Sequence, residues 1–473
     1  MEPTEDSPLL PGGAAASEAG RTTDPELLKH DLLYQRFKPT EKRVIVALIS
    51  WAGFIPFLTS GSFIPSIPQI ARDLDTTGPV ISLAVSLSLA TASLGGLTWA
   101  CYSGGFGRRF VYLRSLPCMC IGSAGVAMSR TIPELMFWRV VQAFGASSGM
   151  SVGAGVIGDI YRLEERGTAM GIFFGATLVG PAVAPLMGGI ATHYASWRHA
   201  QWALMVMGLM ALIPVYLWLP ETLNPEKLER VKRERLSIFS MNPFANLLVL
   251  RSPNILLLTL AGTAALITDF VMMVPLAYTI GKQYGITNEA LIGAFFLPTG
   301  AGNFIGAPIA GRLSDWTVVK WRKARGGVWV PEDRLRACIW GSAVFVPLSV
   351  LLSGLTTTFV PGTPGIVLNL VWLFMNGIGV DLVLTPMSSY YVDIMHSRSA
   401  ETFAASASFR ALIIAFVTAG TLPLIDTVGV AWTDAIFSFV AWIGFGITML
   451  VIWYGDRMRA WLDLGFTTTD RDN

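Results

Sequence analysis

The chain has 473 residues, of which 52% are hydrophobic and only 14% charged, with a formal charge of +2 and a mean hydropathy of +0.54. Soluble domains carry about 25% charged residues, so roughly half of the usual polar coat is missing. The apolar residues come in unbroken runs, as in 44–63 and 200–219, rather than at the periods of 2 or 3.6 of a soluble fold. These features exclude a water-soluble enzyme and, with no basic stripe, a nucleic-acid binder; they are those of an integral membrane protein.

The first 40 residues are acidic, rich in Pro, Gly and Ala, and lack the apolar core of a cleavable signal peptide. Residues 1–43 are therefore expected to form a disordered tail, with the first span itself targeting the chain. Within it, Glu5-Asp-Ser-Pro-Leu9-Leu10 reads either as an acidic dileucine sorting signal or as plain polar tail. Twelve candidate spans follow, at 44–63, 79–101, 110–128, 134–157, 168–190, 200–219, 254–278, 290–310, 335–355, 364–390, 403–424 and 433–454. All are read as helices, because a lone helix satisfies its own backbone in lipid and the alternating ten-residue strands of a barrel do not occur. The expected fold is an all-α polytopic membrane protein of two six-helix bundles, 44–219 and 254–454, joined by a linker at 220–253 and ending in a tail at 455–473.

Charge orients the spans. With both termini placed in the cytoplasm, only four of the 34 lysines and arginines (Arg72, Arg130, Arg198, Lys282) fall on the outer side and two, Arg139 and Arg410, within spans; the other 28 are inside. An odd number of spans would scramble that asymmetry. The linker run Glu226–Arg235 reads as a charged surface helix. The basic segment 312–334, with Lys320, Arg322, Lys323 and Arg325, suits either a solvated face near anionic headgroups or a site for an anionic substrate or regulator. The four cysteines have neither zinc nor redox spacing and read as core residues. The four histidines lie in loops or tails without metal spacing, so no metal, cofactor or enzymatic constellation is expected. No P-loop occurs, which argues against ATP as the energy source.

Matching loops in the two halves carry partial copies of one motif. After span 2 the chain reads Gly104-Gly-Phe-Gly107-Arg108-Arg109; after span 8 it reads Gly311-Arg-Leu313-Ser-Asp315. The pair resembles the major facilitator superfamily, whose loop signature is G-x-L-x-D-R-x-G-R-R: the first copy keeps the tail, the second the head. Arg139-Val-Val-Gln142-Ala-Phe-Gly145 in span 4 is similar to that family's R-x-x-Q-G-x-G. Gly180-Pro181-Ala-Val-Ala-Pro185-Leu-Met-Gly188-Gly189 in span 5 is similar to its G-P-x-x-G-P-x-x-G-G antiporter motif, with Ala184 replacing one glycine. Together these resemble the fungal twelve-helix drug:proton antiporter branch over nearly the whole chain past residue 43. Glycines admit a close neighbour and prolines kink the span, so a helix of this composition reads either as a gate between the halves or as ordinary packing.

The resemblance implies that spans 1, 4, 7 and 10 line a central cavity. Three of the four charges deep in the membrane then fall on cavity helices: Arg139, Asp269 and Asp381, with Arg410 on span 11. Such charges are costly in lipid and normally face a cavity or a partner. The expectation is that Asp269 or Asp381 carries a coupling proton with Arg139 as counter-charge or substrate anchor; the alternative is a fixed pair holding spans together. Arg410 is expected to face the first inner loop, near Gly104, in a structural contact. Trp51, Phe54, Phe57, Met272, Met273, Trp372 and Phe374 are candidate cavity liners. By resemblance the chain exports a small organic compound in exchange for protons, working as a monomer in the plasma membrane, with the vacuolar membrane as the alternative. Proton-coupled uptake on the same fold is the competing function.

Overall fold

The computed structural model describes residues 36–161, 163–223, 225, 229, 243–394 and 399–461. The acidic Glu5–Leu10 stretch and the Glu226–Arg235 run lie outside the described residues, apart from Glu229. Twelve long helical elements follow one another: α1 (Pro39–Gly61), α2 (Gly78–Phe106), α3 (Arg108–Met128), α4 (Ile132–Ile160, interrupted at Ser147), α5 (Leu163–Tyr194), α6 (Trp197–Trp218), α7 (Pro253–Gly281), α8 (Glu289–Ala324, interrupted at Phe295), α9 (Pro331–Phe359), α10 (Gly362–Ile394), α11 (Ser399–Val428) and α12 (Val430–Trp461). Among the described residues, eleven of them are long and apolar enough to cross a membrane; α5, 32 residues long, is the remaining one. The all-α polytopic expectation is met, and each element matches one expected span. The last runs on to Trp461, beyond the expected end at 454, and α8 runs on to Ala324, well beyond the expected end at 310 and into the basic 312–334 segment.

Local chemistry sets the helix ends. Proline sits in the first turn of α1, α2, α4 and α7, where its missing N–H removes no helical hydrogen bond. Thr131, Ser196 and Asn288 cap α4, α6 and α8 through their side-chain oxygens. Inside the spans, serine and threonine hydroxyls donate back to carbonyls a turn earlier, as Ser88 does to Ala84 at 2.6 Å and Thr91 to Leu87 at 2.7 Å. That hides their polarity from lipid.

Two faces can be distinguished by the loops they carry. The terminal face holds the start of α1 and the end of α12, and Lys42 there lies over the ring of Tyr161 at the end of α4. The distal face holds the α1–α2, α5–α6 and α7–α8 connections. Two large apolar clusters each stay within one set of six helices, one running from Ile45 to Leu219 and one from Val249 to Ile452. Three smaller clusters join the sets. Phe63, Ile67 and Trp197 pack with Val274; Ile64 packs on Met272 and Leu276; Leu89 packs on Val271 and Ile414. The first two of these seals lie toward the distal face. Large apolar side chains such as Ile121, Phe137, Met210, Ile213 and Trp432 point outward, where lipid is their solvent.

Candidate functional site

In the first six helices the polar interior is built around Arg139, which is fully buried on α4. Its Nη1 donates to Gln142 Oε1 at 2.7 Å, one turn along the same face, and to the Thr59 carbonyl at 3.2 Å. That carbonyl belongs to the last turn of α1, where carbonyls have no helical partner of their own. The guanidinium lies 4.2 Å over the Phe63 ring. Gln142 Nε2 in turn donates to Ser123 Oγ and to Gln201 Oε1, each at 2.8 Å, so α1, α3, α4 and α6 meet in one hydrogen-bonded chain. Among the described residues, Arg139 Nε and Nη2 have no hydrogen-bond partner.

In the second six helices Asp269 stands on α7 and Asp381 on α10, two helices that pack against each other. Asp381 Oδ2 is buried without a hydrogen bond. Room for it comes from Gly306 on α8, where a β-carbon would stand 3.3 Å from Asp381 Cβ. Next to the pair, Asn376 Nδ2 donates to Thr268 Oγ1 at 3.0 Å and to Ser349 Oγ at 2.9 Å, tying α10 to α7 and α9. Asn376 Oδ1 and Asn303 Oδ1 are buried and unpartnered. Arg410 does not face the first inner loop. It turns into its own half, donating to Ser406 Oγ at 3.4 Å and lying beside Gly262. Gly262 and Asp269 are seven residues apart on α7, so Arg410 lies on the carboxylate's stripe of that helix, roughly 10 Å toward the terminal face.

The distal face is closed by α5 and by one carboxylate. A β-carbon on Gly188 would strike the Ser62 backbone, and one on Gly189 would strike the backbone of Glu289. The span-5 glycines thus let α5 touch α1 and α8 at once. Pro181 and Pro185 both lie inside this helix, and the Pro185 carbonyl abuts Gly293. Gly180 receives Phe57 and Phe54. Glu289, 8% exposed, accepts from Arg72 Nη2 at 3.1 Å and meets His193 Nδ1 at 3.3 Å, both from the other set of helices. Gly188→Leu is expected to push α1 from α5, costing about 1–3 kcal/mol as overpacking does. A lower unfolding midpoint and lost transport in the purified variant would show it.

The terminal face carries matched ion pairs, each within one half. Gly107, at φ +108° with Glu221 where a β-carbon would sit, turns the chain into α3. Glu221 accepts from the backbone N–H groups of Arg108 and Arg109 at 2.8 and 3.2 Å. The Arg108 side chain donates to Asp159 at the end of α4 at 2.9 Å, and Arg109 donates to the Tyr216 carbonyl. In the second half, Arg334 at the start of α9 donates to Asp393 at the end of α10 at 2.6 Å and to Asp315 at 3.1 Å. The missing tail of the second loop motif therefore reappears as Arg334, 19 residues after Asp315.

The structure sets Asp269 and Asp381 on adjoining helices of the second half and gives Arg139 its described partners in the first half alone. Several candidate cavity liners are engaged in helix packing: Trp51 Nε1 donates to the Met207 carbonyl and Trp372 Nε1 to Thr356 Oγ1. Sequence reasoning met Gln142 only as part of the span-4 motif and passed over Gln201 and Asn303, because uncharged amides in the apolar runs were not weighed as site residues. It also passed over Glu289 and Asp434, which lie at span ends yet are buried.

Twelve long helices, eleven of them among the described residues long and apolar enough to cross a membrane, with buried polar side chains in both halves, define a multi-pass membrane protein. The chain belongs to the Major Facilitator Superfamily, whose profile matches residues 49–418. It is 25% identical over 453 residues to the efflux pump radE of Floropilus chiversii, covering 90% of this chain and 82% of that one. It is 32% identical over 189 residues to citrate exporter 1 of Aspergillus niger, covering 40% and 36% of the two chains. It is 37% identical over 180 residues to the MFS antiporter QDR3 of Candida albicans, covering 38% and 25%.

Proposed function

We propose that this transporter is a secondary active exporter that moves a small organic compound outward in exchange for protons. The reading rests above all on two carboxylates within the spans, Asp269 and Asp381, on adjoining helices of a bundle whose halves are sealed together at the distal face. Two carboxylates confined together repel when both are charged, and one shared proton relieves that repulsion. The 44–219 and 254–454 bundles rock about the α5–α8 and α2–α11 contacts, exposing the pair to one side at a time. In this reading the terminal face and both termini lie in the cytoplasm, which lysine and arginine placement supports, and a sealed distal face then corresponds to the inward-facing arrangement. The plasma membrane is the expected site. Relatives named efflux pump, antiporter and citrate exporter support export. The unpartnered N–H groups of Arg139 suit a solute carrying a carboxylate or another acceptor, such as an organic acid or secondary metabolite.

Comparing small molecules inside and outside cells with and without the transporter identifies the compound. Loaded into vesicles holding a pH dye, that compound should leave as protons enter, with the protein acting as a monomer. Co-directional movement would establish uptake symport instead. Rocking also requires the distal latch to release. Glu289→Gln removes the charge held by Arg72 and His193; since Arg72 is largely exposed, the two contacts together contribute on the order of 1 kcal/mol. The outward-facing population should rise about fivefold, read as faster labelling of a single cysteine placed at Ser62. Unchanged labelling would remove Glu289 from the gate.

A further inference from the structure

The residues between Asp315 and Arg334 have no counterpart in the first half, where Gly107 passes directly into Arg108 and α3. Here α8 continues to Ala324, and the chain then reverses at Gly326 and Gly327, both at positive φ, before entering α9. Six lysines and arginines face two carboxylates over 316–336. The reversal leaves a shallow cleft between the end of α8 and the start of α9, lined by Trp316, Lys320, Trp321, Arg336 and Trp340 over an apolar floor of Leu313 and Ile339. Trp316 and Trp340 are 58% and 63% exposed.

The cations in this cleft are held for an anion. Lys320 Nζ lies 4.8 Å over the Trp316 ring and has no carboxylate partner among the described residues. Arg336 stacks 3.9 Å over Trp321 while donating to Asp333, and Arg325 bonds the same carboxylate. Indole rings at the end of a spanning helix sit at the lipid–water boundary, apolar body inward and N–H outward. An ammonium and a guanidinium at that level match a phosphodiester, while the floor of Leu313 and Ile339 matches the glycerol and upper acyl carbons.

We propose that this cleft is a headgroup site for an acidic phospholipid, independent of the transport pathway. The shared chemistry is a phosphate ester, and the occupant is a membrane lipid rather than a soluble phosphate. The test uses the full chain purified in detergent, titrated with phosphatidylserine, phosphatidylcholine or inorganic phosphate, and read by native mass spectrometry and by the unfolding midpoint. Phosphatidylserine should be retained and raise the midpoint, with phosphatidylcholine much weaker. Lys320→Gln should weaken retention about fivefold, the effect of one interfacial lysine. Trp340→Ala, on an exposed residue, should weaken it while leaving the lipid-free midpoint unchanged. Equal retention of phosphatidylcholine, equal protection by inorganic phosphate, or undiminished binding by both variants would overturn the proposal.

Discussion

Asp381→Asn and Asp269→Asn are each expected to abolish export driven by a pH gradient while leaving the protein folded in the membrane. A gradient of one pH unit supplies about 1.4 kcal/mol per exchanged proton, enough for roughly tenfold accumulation. A variant that cannot load the proton should accumulate nothing above the equal-concentration limit. The substitution is nearly isosteric, and Asp381 Oδ2 makes no hydrogen bond that the amide would break. The folding cost should therefore stay near the ~1–3 kcal/mol of an amide N–H in search of a partner. Solute exchange without a gradient separates the roles. If the pair serves only the proton, exchange across vesicles with equal pH persists in both variants. If the carboxylates hold the solute, exchange disappears too. Because the two groups act as one proton site, the double variant should lose no more than either single one. Gradient-driven accumulation surviving in both single variants would end the proton assignment.

How far the sequence reveals this arrangement depends on the kind of signal. Helix number and order were legible because each span must satisfy its own backbone and present apolar side chains to lipid, a demand written in about 20 consecutive residues. The conjunction of Asp269 with Asp381 was half legible. A charge in an apolar run is conspicuous, but only the packing of α7 on α10 sets the two on adjoining helices. Arg410 shows the limit of that reasoning. Position along α11 says how deep it lies, not which way it points, and the helix rotation that turns it onto Gly262 comes from packing. Arg334 was hidden differently. An insertion split the loop motif, so the ion pair with Asp393 repeats Arg108–Asp159 in space while the sequence spacing is lost.

Arg139 carries the other large expected effect, and three substitutions divide its possible roles. Arg139→Ala removes a buried side chain that fills space and bonds α1 to α4, leaving the Thr59 carbonyl and Gln142 Oε1 without donors. It should destabilise the protein by several kcal/mol and report little about transport. Arg139→Met keeps most of the volume and removes the charge. Replacing a buried cation by an apolar chain of similar size is often near neutral, because its desolvation cost disappears along with its bonds. This variant still leaves the Thr59 carbonyl and Gln142 Oε1 without their donor, so it should lose stability, but less than the alanine variant because no cavity forms, and yet fail to transport by at least tenfold. Arg139→Lys keeps the charge but not the planar fork. A lysine can bond Gln142 or Thr59 but has no counterpart to the free Nε and Nη2 edge. If that edge receives the solute, the lysine variant should raise KM about tenfold with a smaller change in the maximal rate. If Arg139 only ties α1 to α4, the methionine variant transports as well as the parent, and the anchor for the solute must then be sought at the buried amide oxygens of Asn303 and Asn376 in the other half, which have no hydrogen bond among the described residues.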